Sequence, residues 1–359
     1  MSTASFRRTE CRVLGPLPPG GQRWPGMSVL ANTLWLVDLA ENAPDGCAMA
    51  CRARAAGQRV ITVCDSEQER RAEMLGLEAL DRITRAGDVG RVIGELGAKA
   101  VVVTSRRLLA ASEKHCRKAG VLLELAAVGI GGKAVGAGDA TGGVAARFVE
   151  LTELLAFAPG HGVMAGGDRA VLRQGLGVRD GELAIGLIGP WPGEDLAAGD
   201  EPPCKLFSRV IGMLALGDYP VVGLADSGHS DMGGAATFAQ TVEDQFELIG
   251  VDGPVEAALA AMDGLVWLGS HRGGSVAALA ALRCGVPVVA VADEASRAVQ
   301  MLAGEQRGSG QVLAKMVLAP DGTMASIGSR VMEALGLVEP ARRVVPAVLG
   351  GGAGGGFEE

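Results

Sequence analysis

Between about residues 33 and 335 the chain alternates short apolar runs with stretches in which apolar residues recur every three or four positions. Continuous apolar runs suit strands covered on both faces, and the longer period suits helices laid over them. In the first half this pattern predicts strands at 33–38, 59–63, 100–104, 122–128 and 154–158, and helices at 46–56, 67–75, 88–96, 108–119 and 168–175. Gly57 stands where the first helix should stop, as a glycine cap before a strand. In the second half strands are expected at 183–188, 221–224, 246–249, 264–268, 288–291 and 312–313. Helices are expected there at 205–214, 254–262, 276–283, 295–303 and 323–335. Such alternation is the mark of βαβ units, so the expected class is α/β with parallel sheets.

The chain divides by composition. Residues 1–27 are rich in Pro, Gly and Arg and are expected to be flexible, and 341–359 form a Gly-rich tail. Between them we expect an N-terminal Rossmann-like domain over 28–165 and a C-terminal one over 166–340. No repeat at solenoid period is visible.

Residues 264–291, GLVWLGSHRGGSVAALAALRCGVPVVAV, carry the most information. They read as a buried strand, a polar glycine turn, a helix, a Gly-Val-Pro turn and a second buried strand. Open α/β sheets bind ligands at such strand-to-helix turns, because the helix begins there with unpaired N–H groups and a partial positive charge. Gly273 and Gly274 would let a ligand approach the backbone, Ser275 is suited to cap the helix, and His271 and Arg272 add donors. An anionic ligand is the expectation.

The same segment resembles the GT-B glycosyltransferases, of the retaining kind known as glycosyl transferases group 1. In that family a strand leads into Ser-x-x-Glu-Gly-x-Gly, then a helix with a second Glu, then Ala-x-Gly-x-Pro-Val-Val-Ala. Ser270, Gly273, Leu279, Ala281, Gly285, Pro287, Val288, Val289 and Ala290 fall on this pattern. Both carboxylates are absent: Arg272 stands in place of the first Glu and Ala280 in place of the second. In the family those acids contact the donor sugar and the ribose, so the motif is degenerate in its paired Glu. The resemblance is good over 183–337 and faint over 28–180, where 46–63 looks like the opening helix and second strand of a GT-B first domain. It implies two Rossmann-like domains facing a cleft, with the acceptor on the N-terminal side and a nucleotide-sugar donor on the C-terminal side.

The resemblance also points to Lys205. The family places a Gly-Arg loop and then a Lys near the donor phosphates after the first strand of its second domain. Here the loop reads Gly-Pro-Trp-Pro-Gly from Gly189, without the Arg, and Lys205 starts the next helix. A cation at a helix start stands at the unfavourable end of the dipole, which hints at a nearby anion, and Arg209 one turn on shares its face. The expected donor-binding set is therefore Lys205, Arg209, His271, Arg272, Gly273, Gly274 and Ser275.

Other ionisable groups have plainer readings. His229 and Asp231, in an Asp-Ser-Gly loop, and His161, between glycines, are candidates for the cleft, with ordinary turn chemistry as the competing account. His115 beside Lys114 reads as solvated surface. Strand ends at 104–107 and 124–127, where many family members place histidines, hold none, and Glu124 is the nearest ionisable group there. The glycines of 129–136 lack both a dinucleotide fingerprint and a Walker Lys-Ser/Thr pair.

Composition narrows the function classes. Apolar residues make up 48% of the 359, enough for two sizeable cores. A net charge of −8 argues against nonspecific binding of nucleic acid or anionic membrane. Seven scattered cysteines form no disulfide framework, and Cys47-x3-Cys51 has no second ligand pair, so neither a disulfide scaffold nor a metal site is expected. No run approaches the ~18 apolar residues of a membrane span and no signal sequence is visible, giving a cytoplasmic expectation.

Taken together, these residues lead us to expect transfer of a sugar from a nucleotide-diphosphate sugar, a co-substrate rather than a bound cofactor, to an unknown acceptor. Two alternatives stand beside it: a catalytically degenerate GT-B-like binding or scaffolding subunit, and a sugar-nucleotide epimerase-like enzyme.

Overall fold

The computed structural model describes residues 8–10, 33–64, 79–81, 86–130, 133–134, 144–158, 169–189, 203–226, 247–252, 255–268 and 273–337. These build two seven-stranded sheets, each layered with helices. The chain is α/β with two Rossmann-like domains.

The N-terminal sheet has the order β4-β3-β2-β5-β6-β7, with β8 also paired to β6. Its strands are β2 (Thr33–Asp38), β3 (Arg59–Cys64), β4 (Ala79–Asp81), β5 (Ala100–Val103), β6 (Leu122–Ile130), β7 (Lys133–Ala134) and β8 (Ala145–Glu150). All pairs are parallel except β6–β7. Helices α1 (Leu39–Ala55), α2 (Ala86–Glu95) and α3 (Arg106–Ala119) connect them. Strands β2 and β5 are buried over their whole length, as uninterrupted apolar runs require.

The C-terminal sheet is wholly parallel, in the order β1-β11-β10-β9-β12-β13-β14. It comprises β9 (Leu183–Ile188), β10 (Val221–Asp226), β11 (Glu247–Asp252), β12 (Gly264–Trp267), β13 (Val288–Val291) and β14 (Met316–Ala319). Its edge strand is β1 (Arg8–Glu10), so three residues of the stretch read as a flexible N-terminus pair with Gly250–Asp252 of β11. A three-residue segment carries too little pattern to announce itself, and its partner lies far along the chain. Helices α6 (Pro203–Leu216), α7 (Ser275–Arg283), α8 (Glu294–Gly308) and α9 (Met324–Leu335) complete the layers.

Between the domains run the short α4 (Leu151–Leu154), a 3-10 turn (Leu155–Phe157) and α5 (Arg169–Gly175). The strand expected at 154–158 is thus helical: Leu151, Leu154 and Leu155 are all buried, a spacing that suits one face of a helix. The helix expected at 254–262 is a 3-10 helix, Val255–Ala261. The strand expected at 312–313 lies instead at β14, and Val312 is almost fully exposed. The helix expected at 67–75 lies outside the described residues. Asp263 anchors α5 to the C-terminal sheet, accepting from Arg169 at 2.6 Å, from Arg173 at 2.9 Å and from the Ala184 N–H at 2.8 Å.

One apolar cluster runs through both domains. Trp35, Val37, Cys47, Met49 and Ala50 join Leu265, Trp267 and the whole buried length of α7. Helix α1 packs on α7, both lined by small residues that let the backbones approach. Two further clusters cover the outer faces, one around Leu34, Ile61, Val101 and Leu108, the other around Phe207, Ile211, Val266 and Ile327.

Candidate functional site

In each sheet the strand order reverses at one place. The N-terminal sheet grows from β2 through β3 to β4, then returns to lay β5 on the other side of β2. Likewise the C-terminal sheet grows from β9 through β10 to β11, then returns to place β12 beside β9. Such switch points open a crevice beyond the carboxyl ends of the strands, where ligands of open α/β sheets sit. Helices α1 and α7 leave these two points and pack together, with Asp45 of α1 reaching the first turn of α7.

At the C-terminal switch point β9 is followed by Gly189, with φ +52°, and a Cβ there would stand 3.0 Å from the Leu268 carbonyl. After β12 the backbone turns through Gly273 and Gly274, with φ of +107° and +96°. The buried indole of Trp267 lies against this turn: its Nε1–H donates to the Gly273 carbonyl at 2.9 Å, and a Cβ on Gly274 would lie 2.6 Å from that nitrogen. The two glycines therefore let the turn close over Trp267.

The structure corrects the expected cap. Gly274 is the N-cap of α7 and offers no side chain, while Ser275 is the first helical residue and is buried. The capping group comes from the other domain. Asp45, on α1, is 3% exposed and accepts from the Val276 N–H at 2.8 Å and the Ser275 N–H at 3.3 Å. An anion does sit at the start of this helix, and it belongs to the chain itself.

Of the expected donor-binding residues, Gly273, Gly274 and Ser275 lie together at this helix start. Lys205 and Arg209 lie on α6, which packs on the opposite face of the sheet through Phe207, Val210 and Ile211. Lys205 is exposed and Arg209 half-buried. His271, Arg272, His161, His229 and Asp231 lie outside the described residues.

The N-terminal switch point holds a polar cluster that the sequence reading passed over. Asp38, the last residue of β2, is fully buried, and its carboxylate accepts from Ser105 Oγ at 2.7 Å and from Arg107 Nε and Nη2 at 3.0 and 2.8 Å. Its N–H donates to Thr104 Oγ1 at 2.9 Å. Ser105 also N-caps α3, accepting from the Leu108 N–H. A signal was present: an Asp ending one strand and a Thr-Ser-x-Arg after the adjacent strand are what a switch point juxtaposes.

Glu124 is engaged with Arg147 of β8 at 2.6 Å, and that guanidinium lies over the Trp35 ring. His115 is half-buried rather than solvated: its imidazole lies against α2, where a Cβ on Gly90 would stand 2.1 Å from Nδ1. Cys47, Cys51, Cys116 and Cys284 are free thiols. Burial pushes Cys51, Cys116 and Cys284 up to about 11, with Arg54 opposing slightly at Cys51. Among the described residues no group of three or more His, Cys, Asp or Glu could hold a metal ion, and no helix is long and apolar enough to cross a membrane.

No family model matches this chain, and no curated protein does. Solved structures match its fold. A protein assigned as a UDP-N-acetylglucosamine 2-epimerase from Listeria monocytogenes superposes with a TM-score of 0.54 at 11% identity, covering 85% of this chain and 87% of that one. The S. aureus MnaA–UDP structure gives 0.51 at 9% identity, over 84% and 87%. Anabaena Alr3699/HepE in complex with UDP and glucose gives 0.50 at 14% identity, over 84% and 95%. At such identities the likeness is one of fold, and the fold is GT-B-like: two Rossmann-like domains facing a cleft.

Proposed function

We propose that this chain binds a nucleoside diphosphate sugar at the carboxyl edge of its C-terminal sheet and transfers the sugar to an acceptor held over the N-terminal domain. The observation that carries this reading is the pairing of the two switch points through α1 and α7. In the reaction an acceptor hydroxyl forms a bond to the anomeric carbon, the bond from that carbon to the diphosphate breaks, and the hydroxyl proton is released. Positioning and stabilisation of the departing diphosphate would supply most of the acceleration. We assign that stabilisation to the 269–275 turn, with Arg272 as a two-toothed phosphate donor and His271 as a supporting donor. The free thiols fit a reducing compartment, and the cytoplasm is the proposed setting.

A second reading is favoured by two observations at α7: Asp45 takes the helix start, and Ala280, in place of the family's second Glu, is 1% exposed. Under it the chain keeps the fold and serves as a binding or scaffolding subunit.

Calorimetric titration with UDP, GDP, ADP and TDP, without added metal, separates the two. Micromolar affinity for one nucleotide, lowered roughly tenfold or more by Arg272→Ala, is the expected result. Silence with all four would overturn donor binding and leave the scaffolding reading.

A further inference from the structure

Asp45 and α7 are separated by 230 residues and belong to different domains. Helix α7 cannot cap itself. Its N-cap is a glycine, and a side chain there would strike the Trp267 indole. Nor does Asp45 cap its own helix, because α1 already began at Leu39. Pro44 lies immediately before it within α1, and a proline lacks the N–H that would continue the helix ladder. The Asp45 carboxylate instead accepts from the Ser275 and Val276 N–H groups of α7.

Helices α1 and α7 pack together through small buried residues, among them Cys47, Ala48 and Cys51 of α1 and Ala277, Ala278 and Ala281 of α7. A carboxylate taken out of water at such an interface is unfavourable unless donors meet it, and here the positive end of a helix and two N–H groups do so. Those partners exist for Asp45 only while the domains are together.

We propose that Asp45 is an interdomain clasp: closed, its carboxylate occupies the amino end of α7, and an anionic ligand reaches the Ser275 and Val276 N–H groups only once the clasp releases. The clasp rests on the observed contact alone, whereas the ligand clause rests on the proposed donor reading.

Hydrogen exchange at the amides of 275 and 276, with calorimetric titration of inorganic pyrophosphate, tests it on the full chain. Asp45→Ala should speed exchange at these two amides on the order of tenfold, the size of a lost N-cap. Asp45→Asn should hold exchange near the wild-type rate, since its amide oxygen still caps. Pyrophosphate should bind Asp45→Ala roughly tenfold more tightly than wild type, and Asp45→Asn by an intermediate factor because only the like charge is gone. Exchange unchanged in Asp45→Ala overturns the clasp; exchange raised with pyrophosphate affinity unchanged overturns its competition with an anion. If Asp45→Ala does not fold, Asp45→Asn decides alone, and affinity equal to wild type overturns the proposal. Raised exchange in Asp45→Ala, with none of the four nucleotides binding any variant, instead supports the clasp and sinks donor binding.

Discussion

Asp38 and Arg107 meet side-on across the switch point of the N-terminal sheet, each carboxylate oxygen on a different guanidinium nitrogen, at 3.0 and 2.8 Å. The carboxylate is fully buried, while 46% of the Arg107 side chain remains in water. Removing the guanidinium leaves a buried charge with fewer donors, which is the costly way to break an ion pair. Arg107→Ala is expected to destabilise by about 2 kcal/mol, below the 3–5 of a fully buried pair because Arg107 is half solvated. Arg107→Lys should recover less than half of the loss, because an ammonium cannot make the side-on contact. Urea denaturation reads both, and an Arg107→Ala loss of under about 0.5 kcal/mol would mean that water already screens the pair.

Two glycines with positive φ separate backbone strain from steric clash. At Gly285, φ +81°, nothing lies within 4 Å of an added Cβ. At Gly274, φ +96°, the added carbon meets Trp267 Nε1 at 2.6 Å and Ile188 Cγ2 at 3.1 Å. Gly285→Ala should therefore cost about 1 kcal/mol for the left-handed backbone alone. Gly274→Ala should cost about 2–4 kcal/mol, since the turn must also lift from the indole. Equal losses by chemical denaturation would remove the Trp267 contact as the reason for a glycine at 274.

Much of the fold was legible because buried strands are short, continuous and apolar. The strands at 33–38, 183–188 and 288–291 coincide with those expected, since both faces of a central parallel strand are covered and its run is mostly apolar. Edges were less legible. Among the described residues, 8–10 and 79–81 each pair with one neighbour, and three residues show no period. The candidate site was half legible for a related reason. The glycine turn before α7 is local and could be read, but its capping group is not. Asp45 in Ala-Pro-Asp-Gly looks like the start of its own helix, and only the packing of two domains redirects it to Val276.

Three thiols make a case for pH. Burial raises Cys51, Cys116 and Cys284 to about 11, above the value of an exposed cysteine. A group whose folded value is raised favours the folded state while it is protonated in both states. Its contribution is fully present below about pH 8.5, the unfolded value, and is lost as pH climbs toward 11. Stability should therefore decline between those limits, and replacing all three residues by Ala should flatten that part of the profile. At pH 8 iodoacetamide should label them in the native state roughly a hundredfold more slowly than in urea, since the thiolate is the nucleophile. Rapid native labelling followed by mass spectrometry would show that these thiols are neither buried nor raised.

Placing an acid at Ala280, where the family that 264–291 resembles carries its second Glu, tests whether this site accommodates that pattern. Ala280 is 1% exposed on a helix buried from Ser275 to Leu282, with the sheet on one side and α1 on another. A glutamate there would carry its carboxylate into the apolar cluster that joins the two domains, with no described cation beside it. Ala280→Glu is therefore expected to destabilise by about 3–5 kcal/mol, against about 1–3 for the overpacked but neutral Ala280→Leu. No gain in nucleotide affinity should accompany it. Thermal unfolding and calorimetry on the two variants read this directly. A glutamate variant that melts with wild type and binds a nucleotide more tightly would mean that α7 turns this position to the cleft, where an acid can serve a donor site.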